Sequence, residues 1–423
     1  MGTPALQDPA RGRGAPLSAA STQTSQAPKG RKVSPFGKDA NDNLGLILSG
    51  GGSRAAYQVG VLAGLSELTP LDTPNLFPII SGTSAGAINA LALATHAGDL
   101  HAAVDSMLEV WAGFRSHHVM RTDWPGLLAQ AWRWSRTNLL GRSGELTTAL
   151  LDNRPLRELL DQHMRFGCIE EALQAGQLRA VSVCAFDYKN SQSVYFYQSR
   201  SRITPWRRHR RVGVQTRLGL DHLMASAAIP LLFPPVLLNR SWYGDGAVRQ
   251  QSPLSPALHL GANRVLVIGV THMAGAGPVA GQPGPVVKTP SPPSLAQLGG
   301  HLLHSTFIDN LETDLEQLER MNHLASYQPL GMRDTAKGIR QVDVLVISPS
   351  EPLDVIAARH RDALPAGLRL FLRGSGATRS SGSDLLSYLL FEAEYCNELI
   401  ELGRRDALAR ADDLRRFLKL GAV

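Results

Sequence analysis

The stretch Pro78-Ile79-Ile80-Ser81-Gly82-Thr83-Ser84-Ala85-Gly86-Ala87-Ile88-Asn89-Ala90 decides the fold. A short apolar run enters a turn of small residues, and a helix-compatible run, Ala87 to Ala97, leaves it. Strand, tight turn and helix form the context that a nucleophile elbow requires. Gly82 and Gly86 flank Ser84 where larger side chains would clash. The turn exposes the serine Oγ at a helix N-terminus, whose partial positive charge favours a developing alkoxide. A small-residue turn that only packs a helix closely has the same pattern, so this segment by itself leaves both meanings open.

A second unit of the same kind lies upstream. Leu44-Gly45-Leu46-Ile47-Leu48 is a short apolar run, followed by Ser49-Gly50-Gly51-Gly52-Ser53-Arg54 and a helix-compatible stretch from Ala55 to Leu68. Three glycines let backbone N–H groups converge on an anion without Cβ obstruction. As a dinucleotide fingerprint, Gly50, Gly52 and Ala55 fit the G-x-G-x-x-G/A spacing, which requires an acidic residue ending the next strand about 20 residues on. Asp72 sits near that distance, but between Pro70 and Pro74, and the next apolar run leads into the serine turn instead. The alternative is an oxyanion hole for a tetrahedral intermediate.

A nucleophilic serine needs a base. The α/β-hydrolase order is serine, acid, histidine; of the 13 histidines, His272 follows an apolar run and is the best placed, while His301 and His304 fall on a predicted helix. By contrast, Trp242-Tyr243-Gly244-Asp245-Gly246-Ala247-Val248 sets one carboxylate between two glycines. Such a carboxylate, held against a hydroxyl, can act as general base itself. An Asp-Gly pair is also an ordinary hairpin turn.

The wider pattern is that of an α/β layered protein with a mainly parallel sheet. Further buried strands are predicted at Leu178 to Phe186, Ser193 to Gln198, Arg264 to Val270 and Val342 to Ile347. Ile308, Leu311, Leu315 and Leu318 recur at helical spacing, and Leu385 to Leu420 is mostly helix-compatible. With 423 residues, 43% of them hydrophobic and 19% charged, the chain can bury a large core in two to three domain-sized portions. Residues 1–43, rich in Ala, Ser, Pro, Gly, Gln and Thr, read as a disordered tail. Residues 273–294 read as a Pro/Gly-rich loop, and 295–423 as a mainly helical region completing the fold. The expected core is therefore 44–272.

Three separated cysteines, Cys168, Cys184 and Cys396, exclude a disulfide scaffold and favour a reducing, cytoplasmic setting. The most apolar run, Leu223 to Leu238, is broken by Pro230, Pro234 and Pro235, so no spanning helix is expected. A formal net charge of +7 suits an anionic surface. Two segments fit peripheral membrane contact. Trp124 to Arg142 mixes three tryptophans with arginines and leucines, as an amphipathic lid would. Arg200 to Arg211 carries six arginines with Trp206 and His209. No nucleic-acid module accompanies them, and no clustered His, Cys or carboxylate motif points to a metal or other cofactor.

Taken together, Gly50-Gly51-Gly52-Ser53-Arg54, Gly82-Thr83-Ser84-Ala85-Gly86 and Asp245-Gly246-Ala247 resemble the patatin-like phospholipase family. Ala225-Ser226-Ala227-Ala228-Ile229-Pro230 and Phe233-Pro234-Pro235-Val236 look like the family's approach to its DG[GA] motif. The resemblance covers roughly Leu44 to Ala407. It implies a patatin-like three-layer fold and a lipid acyl hydrolase of phospholipase A or lysophospholipase type. Ser84 would then be the nucleophile, Asp245 the general base, and Gly50, Gly51 and Gly52 the oxyanion hole, supported by Arg54, Gly82, Gly86 and Gly246. Arg54, at the family's basic position, would either brace the glycine loop or meet an anionic head group. One departure stands out: Ala55 replaces the glycine that usually follows the basic residue, which implies a tighter approach of the first helical turn. The remaining alternatives are a conventional Ser-His-Asp esterase and a non-catalytic lipid-binding relative.

Overall fold

The computed structural model describes Gly2 and residues 43–121, 149–272, 309–327, 341–369 and 383–420. Apart from Gly2, these belong to one unit, Pro35–Val423. The N-terminal tail, Trp124 to Arg142 and the loop 273–294 lie outside the described residues.

The strands are β1 (Leu44–Leu48), β2 (Ile79–Thr83), β3 (Ala180–Asp187), β4 (Gln192–Ser199), β5 (Arg207–Arg208), β6 (Arg211–Gln215), β7 (Val236–Leu238), β8 (Ser241–Asp245), β9 (Arg264–Ile268) and β10 (Asp343–Ile347). They form one ten-stranded sheet in the order β10-β9-β1-β2-β3-β4-β6-β5, with β8 pairing β3 and β7 pairing β8. From β10 to β3 every pairing is parallel. The β3–β4, β3–β8, β5–β6 and β7–β8 pairings are antiparallel. The parallel half is thus the core of the sheet, and the hairpins sit beyond it.

Alternation along the strands explains the layers, because successive side chains point to opposite faces. In β1, Leu44, Leu46 and Leu48 join one core with the helices Ala56–Ser66, Ala85–Thr95, Leu100–Ala112 and Ala393–Ala409, while Ile47 joins a second core on the other face. Ile80 and Ile79 of β2 divide in the same way. The second core includes Leu254 and Ala257, with Leu311, Leu315 and Leu318 of the helix Asp309–Ser326 packed against it. Strands covered on both faces read as near-continuous apolar runs, as Leu44–Leu48 does.

The helix Ala393–Ala409 packs hard on Ala56–Ser66. A methyl group at Gly60 would overlap the Ile400 carbonyl, and one at Gly403 would overlap the Tyr57 carbonyl, so the two backbones touch. The helix Ala393–Ala409 is therefore packed into the same layer as Ala56–Ser66. No helix among the described residues is long and apolar enough to cross a membrane.

Candidate active site

β3 is the template on which the site is assembled. Its first part pairs with β2, ending in Thr83 opposite Cys184; its last part pairs with β8 along the same edge, with Asp245 opposite Ala185. β2 runs parallel to β3 and β8 antiparallel, so the two strands meet head to head. Where β2 ends, the chain turns at Ser84 with φ 54° and ψ −129°. A non-glycine residue with positive φ is uncommon and such strain costs on the order of 1–3 kcal/mol, so the surroundings must hold it. The Ser84 N–H donates to Ser226 Oγ at 2.9 Å, and the Ser84 carbonyl accepts from Ala87 N–H at 2.9 Å. Gly82 and Gly86 are required by close approach: a methyl group at Gly82 would overlap the Gly86 carbonyl, and one at Gly86 the carbonyls of Leu48 and Ser49.

Ser84 Oγ donates to Asp245 Oδ2 at 2.5 Å, across 161 residues of chain. Both are buried, Ser84 at 2% exposure and Asp245 at 1%. The second carboxylate oxygen of Asp245 accepts from Ala247 N–H at 2.9 Å, and Asp245 N–H donates to the Ala228 carbonyl at 2.8 Å. Asp245 therefore caps the short turn Gly246–Arg249 rather than closing a hairpin. Gly246 is held against β3, since a methyl group there would overlap the Cys184 carbonyl, and Tyr188 fills the space above Gly244. Burial pushes the Asp245 carboxyl up to about 7, and the hydrogen bonds from Ser84 and Ala247 moderate the rise.

Ser84 lines an apolar cavity with Gly52, Ile88, Trp111, Phe114, Leu160 and Phe233. Of the three glycines, Gly52 shares this cavity, whereas Gly50 lines a separate one on the far side with Ile47 and Val267. Gly51 packs on Val270. Gly52 opens the short turn Gly52–Ala55, and the first N–H groups of a helical turn have no partner within it.

Residues 46–258 match the family model described as patatin-like phospholipase. The chain belongs to this family. Two solved structures align with it at low identity. Human GIVD cytosolic phospholipase A2, in complex with methyl gamma-linolenyl fluorophosphonate inhibitor and terbium chloride, is 15% identical, with 91% of this chain and 61% of that chain covered and a TM-score of 0.42. VipD from Legionella pneumophila is 14% identical, with 54% of this chain and 50% of that chain covered and a TM-score of 0.27. The chain thus spans less than two thirds of either. No curated protein matches it.

In this patatin-like chain Arg54 faces inward. It is 3% exposed, donates through Nε to Ser387 Oγ at 2.8 Å, pairs with Asp384 at 3.4 Å and lies 4.1 Å from the centre of the Tyr388 ring. The guanidinium is thus buried and paired with residues of the C-terminal region. Ser53 Oγ donates to the Ser387 carbonyl at 2.9 Å, and a methyl group on Gly52 would overlap the Tyr388 carbonyl. The helix Ser383–Leu389, beyond the matched residues, therefore clamps the glycine turn.

His272 donates through Nδ1 to the Pro349 carbonyl at 2.8 Å, and among the described residues no imidazole hydrogen-bonds Ser84 or Asp245. His301 and His304 lie outside the described residues. The residue types singled out from sequence miss a buried amide chain. Trp111 Nε1 donates to Asn89 Oδ1 at 2.9 Å; Asn89 donates to Gln58 Oε1 and to the Ala55 carbonyl at 3.0 Å; Gln58 donates to the Ser49 carbonyl at 2.8 Å. This chain ties the helix after the serine turn to the glycine turn. Its one sequence signal is amide side chains inside otherwise apolar helices. Ser226, which holds the serine turn, lies in the Ala225–Pro230 segment noted from the sequence, but its role there is visible only in the fold.

Proposed function

We propose that the protein hydrolyses carboxylic esters of lipids, of the phospholipase A or lysophospholipase type, with Ser84 as nucleophile and Asp245 as general base. The observation that carries this reading is the 2.5 Å hydrogen bond from Ser84 Oγ to Asp245 Oδ2 at the wall of an apolar cavity. Family membership supports a lipid ester as substrate. The cavity runs beside Ala85, Ile88, Asn89, Ala92 and Thr95, one face of a helix about 16 Å long at 1.5 Å per residue, which suits an extended acyl chain.

In this mechanism the Asp245 carboxylate takes the Oγ proton as Oγ attacks the acyl carbon. The carbonyl electron pair moves to oxygen, toward the glycine turn at Gly52 and toward Ala85 N–H, the first of the helix after the serine. Each such donor is commonly worth about 2.7–4 kcal/mol. Collapse expels the alcohol, which takes the proton from Asp245, and an acyl-serine remains. A water then gives a proton to Asp245 and attacks the acyl carbon; fatty acid leaves as Ser84 recovers its proton. A carboxyl near 7 is matched to this task at neutral pH, since it can both accept and return a proton.

Contact with an anionic membrane belongs to the same proposal. Arg202, Arg207, Arg208 and Arg210 are exposed, with no carboxylate at ion-pair distance among the described residues. Trp206, by contrast, is buried and stacked between Tyr197 and His259, so it anchors the segment instead of meeting lipid. The test is release of fatty acid from phosphatidylcholine and lysophosphatidylcholine, measured by mass spectrometry. Wild type is expected to release it and Ser84→Ala is not. Undiminished release by Ser84→Ala would end the proposal, and a full rate in Asp245→Asn would return the base role to another group.

A further inference from the structure

The turn that leads to β7 serves two sides at once. Ala227, Ile229 and Phe233 line the Ser84 cavity, while Leu231, between the last two, is 73% exposed with φ 67°. Neither that exposure nor that backbone angle is favourable for leucine, yet the turn is fixed: Leu150 N–H donates to the Leu231 carbonyl at 2.8 Å and Leu151 N–H to the Leu232 carbonyl at 2.9 Å. The β7–β8 hairpin follows. Val236, Leu238 and Tyr243 point inward, so alternation sends Leu237 and Trp242 outward. These two are directly opposite each other across the hairpin and are 55% and 52% exposed. Tyr188, also exposed, lies over Gly244 on this outer face and donates its N–H to the Trp242 carbonyl. A solvent-facing hairpin surface is ordinarily polar; a leucine–tryptophan pair with a neighbouring exposed leucine marks a contact site.

The charges around it choose the partner. The hairpin tip is Asn239-Arg240, both at positive φ. Gly244 is in register with Phe186, Phe186 with Ser193, and Ser193 with Arg211, so the β5–β6 turn at His209-Arg210 projects past the same end of the sheet. Three strand spacings separate them, about 14 Å. Apolar side chains flanked by arginines without carboxylate partners among the described residues match an anionic bilayer: tryptophan and leucine enter the head-group boundary while guanidinium groups meet phosphates.

We propose that the outer face of the β7–β8 hairpin, Leu237 and Trp242 with Leu231, is the element by which this protein inserts into an anionic lipid surface, with Arg240 and the Arg207–Arg211 hairpin holding phosphates beside it. The inference rests on the lipid-hydrolase reading for its purpose. Its geometry links the two, because β8 runs from Trp242 directly to Asp245, and the turn before β7 forms both cavity wall and exposed leucine.

The test uses the full chain and vesicles of phosphatidylcholine containing one third phosphatidylglycerol. Leu237→Ser/Trp242→Ser should lower the partition coefficient about tenfold or more, given the area two such side chains bury. Hydrolysis of monomeric p-nitrophenyl butyrate should be unchanged in that variant. Quenching of tryptophan fluorescence by brominated phospholipid should be lost in proportion in Trp242→Phe. Equal partition of wild type and the double variant overturns the proposal. So does a concentration-dependent dimer in sedimentation velocity that the double variant abolishes, which would assign the face to a second copy. Wild-type binding to vesicles with no ester hydrolysis anywhere would sink the enzyme reading and leave the surface standing.

Discussion

Thr83 and Asp245 occupy consecutive rungs on one edge of β3, opposite Cys184 and Ala185. That relation brings together a hydroxyl and a carboxylate encoded far apart. β2 and β8 approach end to end along a shared neighbour, and the residue after Thr83 meets the last residue of β8. The sheet supplies the alignment of the two strand ends, and Ser226 and Ala247 N–H hold the serine turn and the carboxylate in place. The two glycines beside Asp245 follow from the same packing, since β3 and Tyr188 occupy the space their side chains would take.

Asp245 makes activity depend on pH near neutrality. Its carboxyl stands at about 7, raised by burial, and the proposed base is the ionised form. On p-nitrophenyl butyrate, kcat/KM should rise about tenfold per pH unit below 7 and level off above it. An acidic limb centred near 4 would contradict this.

The same shift has a sign for stability. A carboxyl whose folded value lies above its unfolded value of 3.8 favours the folded state fully below about 4, and that contribution is lost as pH rises through about 7. Asp245→Asn should therefore raise Tm relative to wild type at pH 8, and the difference should shrink toward pH 4. Thermal unfolding by circular dichroism at the two pH values checks it.

Ser226→Ala leaves the Ser84 N–H without its acceptor in a buried, strained turn. An unsatisfied buried donor costs about 1–3 kcal/mol. Stability should fall by that amount, and kcat on the soluble ester should fall more than KM rises, because the turn that aims Oγ is loosened.

Arg54→Met removes the charge that binds the glycine turn to Ser387 and Asp384 while keeping much of the stem. Hydrogen bonds to charged groups contribute about 1.5–3 kcal/mol. The variant should lose stability on that scale, as urea titration would measure, and should lose turnover on soluble esters as well as on vesicles. Loss on vesicles alone would return Arg54 to a head-group role.

Ala92 lies along the cavity face of the helix Ala85–Thr95. Ala92→Phe should shift preference among p-nitrophenyl esters toward shorter acyl chains while butyrate turnover stays close to wild type. Unchanged preference would place the acyl chain elsewhere.

Much of this arrangement was legible before the fold. Leu44–Leu48 reads as a buried strand because both faces are covered, and the structure forms β1 over those residues. The serine turn was readable from steric need alone: Gly82 and Gly86 are small where backbones touch. β7 and β8 were not anticipated, for a physical reason. They are short, and their turn is Asn239-Arg240, without the glycine that usually signals two residues at positive φ. Missing β8 is what left Asp245 looking like a hairpin turn. The inward course of Arg54 was equally hidden, because its partners Asp384, Ser387 and Tyr388 lie some 330 residues away. Gln58 and Asn89 stand out only as amides in apolar helices, and Ser226 only as part of the Ala225–Pro230 segment; their roles come from carbonyl and amide groups supplied by other elements.

The most direct measurement is covalent labelling with a fluorophosphonate, followed by peptide mass spectrometry. The expected result is a single adduct on Ser84 in wild type, at a rate that falls at least about a hundredfold in Asp245→Asn. An adduct on another residue, no adduct at all, or equal labelling of wild type and Asp245→Asn would contradict a serine activated by that aspartate.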